Sequence, residues 1–166
     1  AFDKNVKEDR SRKLLVSDSP ETFEDKGILY ADQVNGKARL YADHLNGMKE
    51  KVQFVIMATN PGTKPVTIKT TNKGEVYPSI YANLIGHEAS VEFLLGDKHD
   101  DELVVPPGQS RVYVQMPDFL PGQGVNVIYD VETDGLVEFA FMAMDASIET
   151  PISTYPLLYK QLPRDQ

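Results

Sequence analysis

The segment that most constrains the fold spans residues 51–74, because it reads as two strands separated by a turn. Every second side chain is apolar across residues 52–58, and the alternation resumes across residues 66–70. Between them lies Asn60-Pro61-Gly62, three residue types that favour turns. An alternation of period two places the apolar side chains on one face of a strand. We therefore predict a half-buried β-hairpin in this segment.

Short alternating runs bounded by glycine and proline recur along most of the chain. Two more hairpins are predicted, at Asn35-Gly36, which favours a type I′ turn with positive φ at both central residues, and at Thr133-Asp134-Gly135. Strands of this length, with a turn signal in nearly every gap, are typical of stacked sheets. The sequence thus predicts a mainly β fold, an antiparallel two-layer β-sandwich of the immunoglobulin-like or jelly-roll-like kind. The further strands are predicted at residues 28–30, 37–45, 103–105, 110–116, 125–131 and 137–143.

One helix is predicted among these strands. Apolar residues spaced by three or four follow Pro78-Ser79 and stop before Gly96, a residue that suits the position just after a helix. Gly86 weakens the first half of the pattern, since glycine disfavours a helix interior. We therefore predict one short α-helix around residues 86–95.

The length of 166 residues suits one well-buried core. Residues 1–26 are polar and charged, and we predict a loosely held N-terminal leader there, within which Leu14-Leu15-Val16 forms a short edge strand. Residues 27–166 are predicted to form a single β-sandwich domain. Its last part, from about residue 147, is rich in proline and is predicted to be an extended tail that docks as an edge strand through Tyr155 and its neighbours.

Composition argues against several functions. The formal net charge of −8 repels phosphate backbones and anionic lipid head groups, which disfavours nucleic-acid and membrane-surface binding. No apolar run approaches the ~20 residues that a transmembrane helix needs, so membrane insertion is not expected. The chain has no cysteine, which rules out disulfides, thiolate metal sites and cysteine nucleophiles.

Sequence motifs for catalysis are incomplete. Residues 108–112 depart from the Gly-x-Ser-x-Gly nucleophile elbow at its last position, and Gly122-Gln123-Gly124 lacks the third glycine of a dinucleotide loop. The acidic run at residues 97–102 offers ligands for a hard cation, but consecutive loop side chains point in different directions, so a solvated loop is favoured. We therefore assign no catalytic residue, metal site or cofactor, and predict that the protein is not an enzyme. Because sites in β folds assemble from distant strands, a hydrolase or metal-dependent enzyme using His44 or His99 remains an alternative.

Arg39, Tyr41, His44 and Asn46 form the densest group of polar and aromatic residues. If the protein binds a ligand, the sequence favours this group as the site. For Arg39 and Asn46 a structural role is favoured, in which Arg39 pairs with a carboxylate and Asn46 makes a turn. The eight tyrosines support another alternative, a carbohydrate-binding module that stacks sugars on exposed tyrosines, although most of these rings are expected to pack at the sandwich edge.

A series of short strand and turn motifs runs through most of the chain. The motifs are Ser17-Asp18-Ser19-Pro20-Glu21, Gly27-x-Leu29-Tyr30-x-Asp32, Gly36-x-x-Arg39-Leu40-Tyr41-x-x-His44-x-Asn46, Thr59-Asn60-x-Gly62 with Pro65-Val66, the Gly86 helix, Pro107-Gly108-Gln109-Ser110, and Tyr129-Asp130-x-x-Thr133-Asp134-Gly135. In these motifs the chain resembles the β-sandwich region of exported cell-surface proteins of spore-forming bacteria, which often accompanies stalk domains named after the copper amine oxidase N-terminus. The resemblance implies an extracellular or cell-envelope location and a non-catalytic role, as a binding module or a structural spacer. The partners it implies are cell-wall polysaccharide or another envelope protein, and it carries over no catalytic residue.

Overall fold

The computed structural model describes residues 12–79, 101–116, 120–147, 150–158 and 162. The predicted mainly β, two-layer sandwich is confirmed, because the strands form two sheets packed face to face. The helix predicted around residues 86–95 lies outside the described residues. The elements are β1 (Arg12–Ser17), β2 (Thr22–Phe23), β3 (Gly27–Val34), β4 (Lys37–Asn46), β5 (Val52–Thr59), β6 (Val66–Ser79), β7 (Asp101–Val105), β8 (Ser110–Gln115), β9 (Gly124–Thr133), β10 (Val137–Asp145), α1 (Pro151–Thr154) and a 3₁₀ turn (Tyr155–Leu158).

The two sheets differ in size. The six-stranded sheet has the order β1-β4-β9-β6-β7, with β2 also paired to β4, and the four-stranded sheet has the order β3-β10-β5-β8. Pairing between the described strands is antiparallel except that β1 and β2 run parallel to β4. β7 at one edge of the six-stranded sheet lies beside β8 at one edge of the four-stranded sheet, so these two edges are on the same side of the sandwich.

The polar segment before residue 27 supplies two strands of the six-stranded sheet. β1 pairs with β4 along its whole length, from Arg12 opposite Lys37 to Ser17 opposite Ala42. The edge strand predicted at residues 14–16 is therefore present, and a loosely held leader does not describe the chain from residue 12 onward. Polar composition was misleading here because only the inward side chains of β1, such as the fully buried Leu15, have to be excluded from water.

Most consecutive strands belong to different sheets. The predicted hairpin in residues 51–74 is wrong, because β5 lies in the four-stranded sheet and β6 lies in the six-stranded sheet. The same correction applies at Asn35-Gly36, which connects β3 to β4, and at residues 133–135, which connect β9 to β10. Asn35 also lacks the positive φ that a type I′ turn requires, whereas Gly36 has a φ of 115°.

Turn residues reverse the chain without specifying which edge a strand pairs with. Both edges of β5 are occupied by distant strands, since Ile56 lies opposite Phe141 of β10 and opposite Val114 of β8. The side chains of β5 from Val52 to Ala58 are all buried, so both faces of this strand are covered. A hairpin with β6 alone would leave one edge and one face of β5 exposed to water, which explains why the long-range pairing is preferred.

Apolar side chains form two layers. The larger layer lies between the sheets, and the smaller one lies on the outer face of the four-stranded sheet, around Val55, Met57 and Met142. The C-terminal segment covers this outer layer with Tyr155 and Ile152. The predicted extended tail is therefore corrected: α1 begins at Pro151, a residue tolerated in the first turn of a helix, and residues three apart then face the same surface.

Candidate functional site

The four residues that the sequence singled out all lie on β4, but on opposite faces of it. Arg39 and Tyr41 lie on the outer face of the six-stranded sheet and are half-buried, whereas His44 and Asn46 lie on the inner face and are buried. The reason is the pleat of the strand, which sends odd-numbered and even-numbered side chains of β4 to opposite sides. The structure therefore does not bring the four residues together in one ligand site.

Arg39 is held by an ion pair. Its Nε and Nη2 atoms donate to the two carboxylate oxygens of Asp130 at 2.8 and 3.1 Å, and Arg12 donates to the same carboxylate at 3.0 Å. The hydrogen bonds to Asp130 raise the pKa of Arg39 above its ordinary value. The carboxylate is almost fully buried, with 4% of the Asp130 side chain exposed. The carboxylate pairing that the sequence suggested for Arg39 is thus present.

Tyr41 lies on the same outer face, beside Asn126 of β9. The Asn126 Nδ2 group donates to the Tyr41 hydroxyl oxygen at 3.1 Å, and burial raises the pKa of Tyr41. The neighbouring Asp43 carboxyl is half-buried, and burial raises its pKa as well. The Tyr41 hydroxyl and the Asn126 Nδ2 group are therefore bonded to each other on this face, whereas the buried Asn126 Oδ1 atom has no hydrogen-bond partner among the described residues.

His44 is a structural residue of the core. Its imidazole is fully buried and lies near the rings of Phe23 and Phe54, with centroid distances of 6.3 and 6.2 Å. Nδ1 lies 2.8 Å from the Pro20 carbonyl oxygen and Nε2 lies 2.7 Å from the Ser17 hydroxyl. Because a carbonyl oxygen only accepts, Nδ1 carries a proton, and in the neutral ring Nε2 accepts from Ser17. His44 thus ties β1 and the segment after it to β4.

Asn46 makes the turn that follows β4. Its Oδ1 accepts from the Met48 amide at 2.8 Å, and its Nδ2 donates to the Glu50 carbonyl at 3.0 Å. Asn60 repeats this arrangement after β5, with Oδ1 accepting from the Gly62 amide at 2.9 Å and Nδ2 donating to the Lys64 carbonyl at 2.6 Å. Both asparagines are buried, so their amides replace water as partners of the turn backbone.

A different polar group is created by a β-bulge in β6. Thr70 lies opposite Val131 and Asn72 lies opposite Asp130, so Thr71 is an extra residue in β6. The bulge reverses the alternation of the strand. Beyond it, Lys73 lies opposite Tyr129, and Glu75 lies opposite Val127, both of which belong to the core between the sheets. Two charged side chains therefore face the interior of the sandwich.

A second bulge lies across the interior, in β8. Val114 lies opposite Ile56 and Val112 lies opposite Met57, so Tyr113 is the extra residue. The Tyr113 ring turns inward and packs edge-on against Tyr129 and Phe139, with centroid distances of 5.5 and 5.6 Å. Its hydroxyl lies 2.6 Å from the Thr70 hydroxyl at the first bulge. The two bulges thus meet through a hydrogen bond between the sheets.

These residues line a cleft of about 370 Å³ on the side of the sandwich where β7 and β8 form the edges. We call it the edge cleft. The Tyr129 hydroxyl donates to Glu75 Oε2 at 2.5 Å, and the Lys73 ammonium lies 3.8 Å from Glu75 and 3.9 Å from Asp101. The residues that line the edge cleft are Thr70, Lys73, Glu75, Asp101, Glu102, Leu103, Val112, Tyr113, Val114, Gln115 and Tyr129.

The protonation states in the edge cleft suit hydrogen bonding. Burial raises the pKa of Tyr113 and of Tyr129 well above the ordinary range, so both phenols keep their protons at neutral pH. About a third of the Glu75 and Lys73 side chains is exposed, so a molecule in the cleft reaches them from solvent. The cleft can therefore offer the phenolic hydroxyls together with the side chains of Glu75 and Lys73 to a ligand.

Sequence reasoning missed this site. The apolar alternation of β6 ends at Thr70, and all residues from 71 to 75, at odd and even positions alike, are polar or glycine. This loss of apolar residues at alternate positions is the available signal in the sequence that the inner face of β6 is no longer apolar here. The position of the bulge depends on how β6 pairs with β9, and the sequence alone does not specify that pairing.

Comparison of the chain with protein-family models, with curated proteins and with solved structures finds no match. In the part of the chain that the structure describes, no helix is long and apolar enough to cross a membrane. Within the same residues, no three histidine or acidic side chains converge as a metal site. Residues 97–100 of the acidic run, which include His99, lie outside this part of the chain, so an enzyme that uses His99 stays a prediction.

Proposed function

We propose that this protein is a non-catalytic binding module of the cell envelope whose ligand occupies the edge cleft. The observation that carries the proposal is the inward placement of Lys73 and Glu75 by the bulge at Thr71. Desolvation of charged groups opposes folding, so charged side chains on the inner face of a sandwich reduce stability unless they are paired or reach water. Without the bulge, Asn72 and Gly74 would face inward instead.

The groups in the cleft support binding rather than catalysis. The hydroxyls of Tyr113 and Tyr129 are fixed by Thr70 and Glu75, so they are oriented before a ligand arrives. A concave site on which several polar groups converge is a candidate ligand site, and the lining of this cleft is mostly polar. The cell-envelope location rests on the motif resemblance, and the net charge of −8 disfavours a nucleic-acid partner.

The described tyrosine rings do not favour sugar stacking on the open surface of the sandwich. Among the described tyrosine side chains, Tyr30, Tyr41 and Tyr113 are half-buried, and Tyr129 and Tyr155 are buried. They offer no exposed row of rings for stacking, so among the described residues the edge cleft, lined by Tyr113 and Tyr129, is the favoured place for a sugar.

The proposal is tested by NMR titration of the isotope-labelled chain with two probes, a soluble digest of bacterial cell-wall polysaccharide and a peptide digest of envelope proteins. We expect one of them to shift the backbone amide signals of Lys73, Glu75 and Tyr113. The variant Tyr113→Phe should weaken this response, whereas the control Tyr30→Phe, which alters a half-buried tyrosine on β3, should not. If neither probe perturbs the cleft, the binding role is refuted and the structural spacer role is favoured.

A further inference from the structure

We infer that the edge cleft takes a neutral, hydroxyl-rich ligand, a sugar or a short glycan. The inference rests on the proposed function, and it adds the chemical class of the ligand. It depends on the signs and positions of the charged groups, on the pattern of hydrogen-bond donors and acceptors, and on the dimensions of the cleft.

The charges in the cleft disfavour ionic ligands of either sign. Lys73 contributes one positive charge, and Glu75 and Asp101 contribute two negative charges, so the charged side chains on the inner face of the cleft have a net charge of −1. A phosphate or carboxylate ligand would be repelled by the carboxylates of Glu75 and Asp101. An ammonium ligand would meet Lys73, which already lies within 4 Å of both Glu75 and Asp101. A neutral ligand avoids both repulsions.

The polar groups alternate between acceptors and donors. Glu75 and Asp101 accept hydrogen bonds, Lys73 donates, and the Tyr113 hydroxyl can do both. Adjacent hydroxyl groups on a sugar ring are themselves paired donors and acceptors, so one ring can bond to a carboxylate and an ammonium group together. Hydrogen bonds to charged partners are the stronger kind, and a site built around them discriminates against analogues that lack the hydroxyl.

The size and the apolar part of the cleft agree with this ligand class. A volume of about 370 Å³ is near the lower end of the range for small-molecule sites, which suits about one or two sugar rings. Leu103 and Val114, which pack against the core between the sheets, add an apolar part to the lining. The C–H face of a pyranose ring can pack on this apolar part while its hydroxyl edge reaches Glu75 and Lys73.

The test compares three ligands of one shape and different charge: glucose, glucosamine as its ammonium form, and glucuronate. Dissociation constants are measured by NMR titration of the intact chain at low and physiological salt, together with the disaccharide cellobiose. We expect the two neutral sugars to shift the Lys73, Glu75 and Tyr113 signals, with affinity at least about fivefold above that of either ion, equivalent to roughly 1 kcal/mol. Preference for glucosamine or glucuronate overturns the inference but leaves a binding role for the cleft.

Variants connect the response to the cleft. Glu75→Gln removes the carboxylate and should reduce the affinity for cellobiose about tenfold, because a charge-assisted hydrogen bond becomes a neutral one. Glu132→Gln changes an exposed carboxylate on β9 and should leave the affinity unchanged. Unfolding curves of both variants verify that they fold. An unchanged affinity in folded Glu75→Gln refutes the inference, and failure of every probe to perturb the cleft refutes both the inference and the proposed function.

Discussion

Replacing His44 by alanine tests whether this residue is structural. The change removes an imidazole that lies fully buried between the sheets and makes hydrogen bonds of 2.7 and 2.8 Å to the Ser17 hydroxyl and the Pro20 carbonyl. Each buried polar atom left without a partner costs about 1–3 kcal/mol. Loss of the ring beside Phe23 and Phe54 adds a cavity. A water molecule that enters the cavity recovers part of this loss. We therefore expect His44→Ala to lower the free energy of unfolding by about 3–5 kcal/mol.

The measurement is equilibrium unfolding in urea, followed by circular dichroism and by tyrosine fluorescence, since the chain has eight tyrosines and no tryptophan. A domain of this kind has a total stability of roughly 5–15 kcal/mol, so the variant should remain folded but unfold at much lower urea. Tyr41→Phe is the matched control on the opposite face of β4. It should cost no more than about 1 kcal/mol, because the ring stays in place and the buried Asn126 side chain keeps its hydrogen bond to Asp43.

A double-mutant cycle with Ser17→Ala isolates the hydrogen bond. If the two side chains stabilise each other as the 2.7 Å contact indicates, the coupling energy should be about 1 kcal/mol or more. A loss below about 1 kcal/mol for His44→Ala, together with additivity in the cycle, would show that His44 does not tie β1 to β4.

Three other changes give contrasting outcomes. In Gly135→Ala the new Cβ would lie 2.8 Å from Val66 Cγ2, so thermal unfolding should show a loss of stability of about 1–3 kcal/mol. The added change Val66→Ala should relieve the clash, so the effects of the two changes on stability should not be additive. Burial raises the pKa of Asp43 in the folded state, so the folded chain binds the carboxyl proton more tightly than the unfolded chain does. The free energy of unfolding therefore falls as the pH rises from the ordinary aspartate range through the raised pKa. Asp43→Asn should therefore be more stable than the parent chain at neutral pH, by less than about 1 kcal/mol for a half-buried group, and the difference should vanish below about pH 3 in urea unfolding at a series of pH values. Asp130→Asn keeps the shape of the side chain but removes the negative charge that pairs with Arg12 and Arg39. Because the two arginine side chains are 38–39% exposed, the expected loss of stability is only about 1–2 kcal/mol. That loss should become smaller in about 1 M salt, and an equal loss at all salt concentrations would argue against an electrostatic origin.

The positions of the strands could be read from the sequence, whereas their pairing could not. Alternation of side chains is a local property, and it located the strands around Val52, Val112 and Val137 close to their observed bounds. The connection at Asn60 carries a strong turn signal, and the chain does turn there. Whether the next strand joins the same sheet or the opposite one depends on which partner covers β5, and that partner, β10, lies about 85 residues away. No local motif contains that information.

The sequence also indicates the faces of the four β4 residues but not the presence of the edge cleft. The split of Arg39 and Tyr41 from His44 and Asn46 could have been anticipated, because the first two residues have odd numbers and the last two have even numbers. The buried apolar residues of β4, Ala38, Leu40 and Ala42, also have even numbers. The edge cleft could not have been anticipated from the alternation of residues within one strand. An unbroken alternation from Val66 onward puts Lys73 and Glu75 on the solvent side, and only the observed register with Tyr129 shows that they face inward.

The sequence by itself determined that this chain makes short strands separated by turns, because glycine, proline and asparagine act on the residues next to them and alternation is a property of each strand alone. The tertiary structure decided which strands are neighbours, where Thr71 and Tyr113 are inserted as extra residues, and consequently which polar side chains face one another across the interior. The physical reason is that pairing and burial are settled between segments far apart in the chain, by competition for the same edges and the same apolar surface.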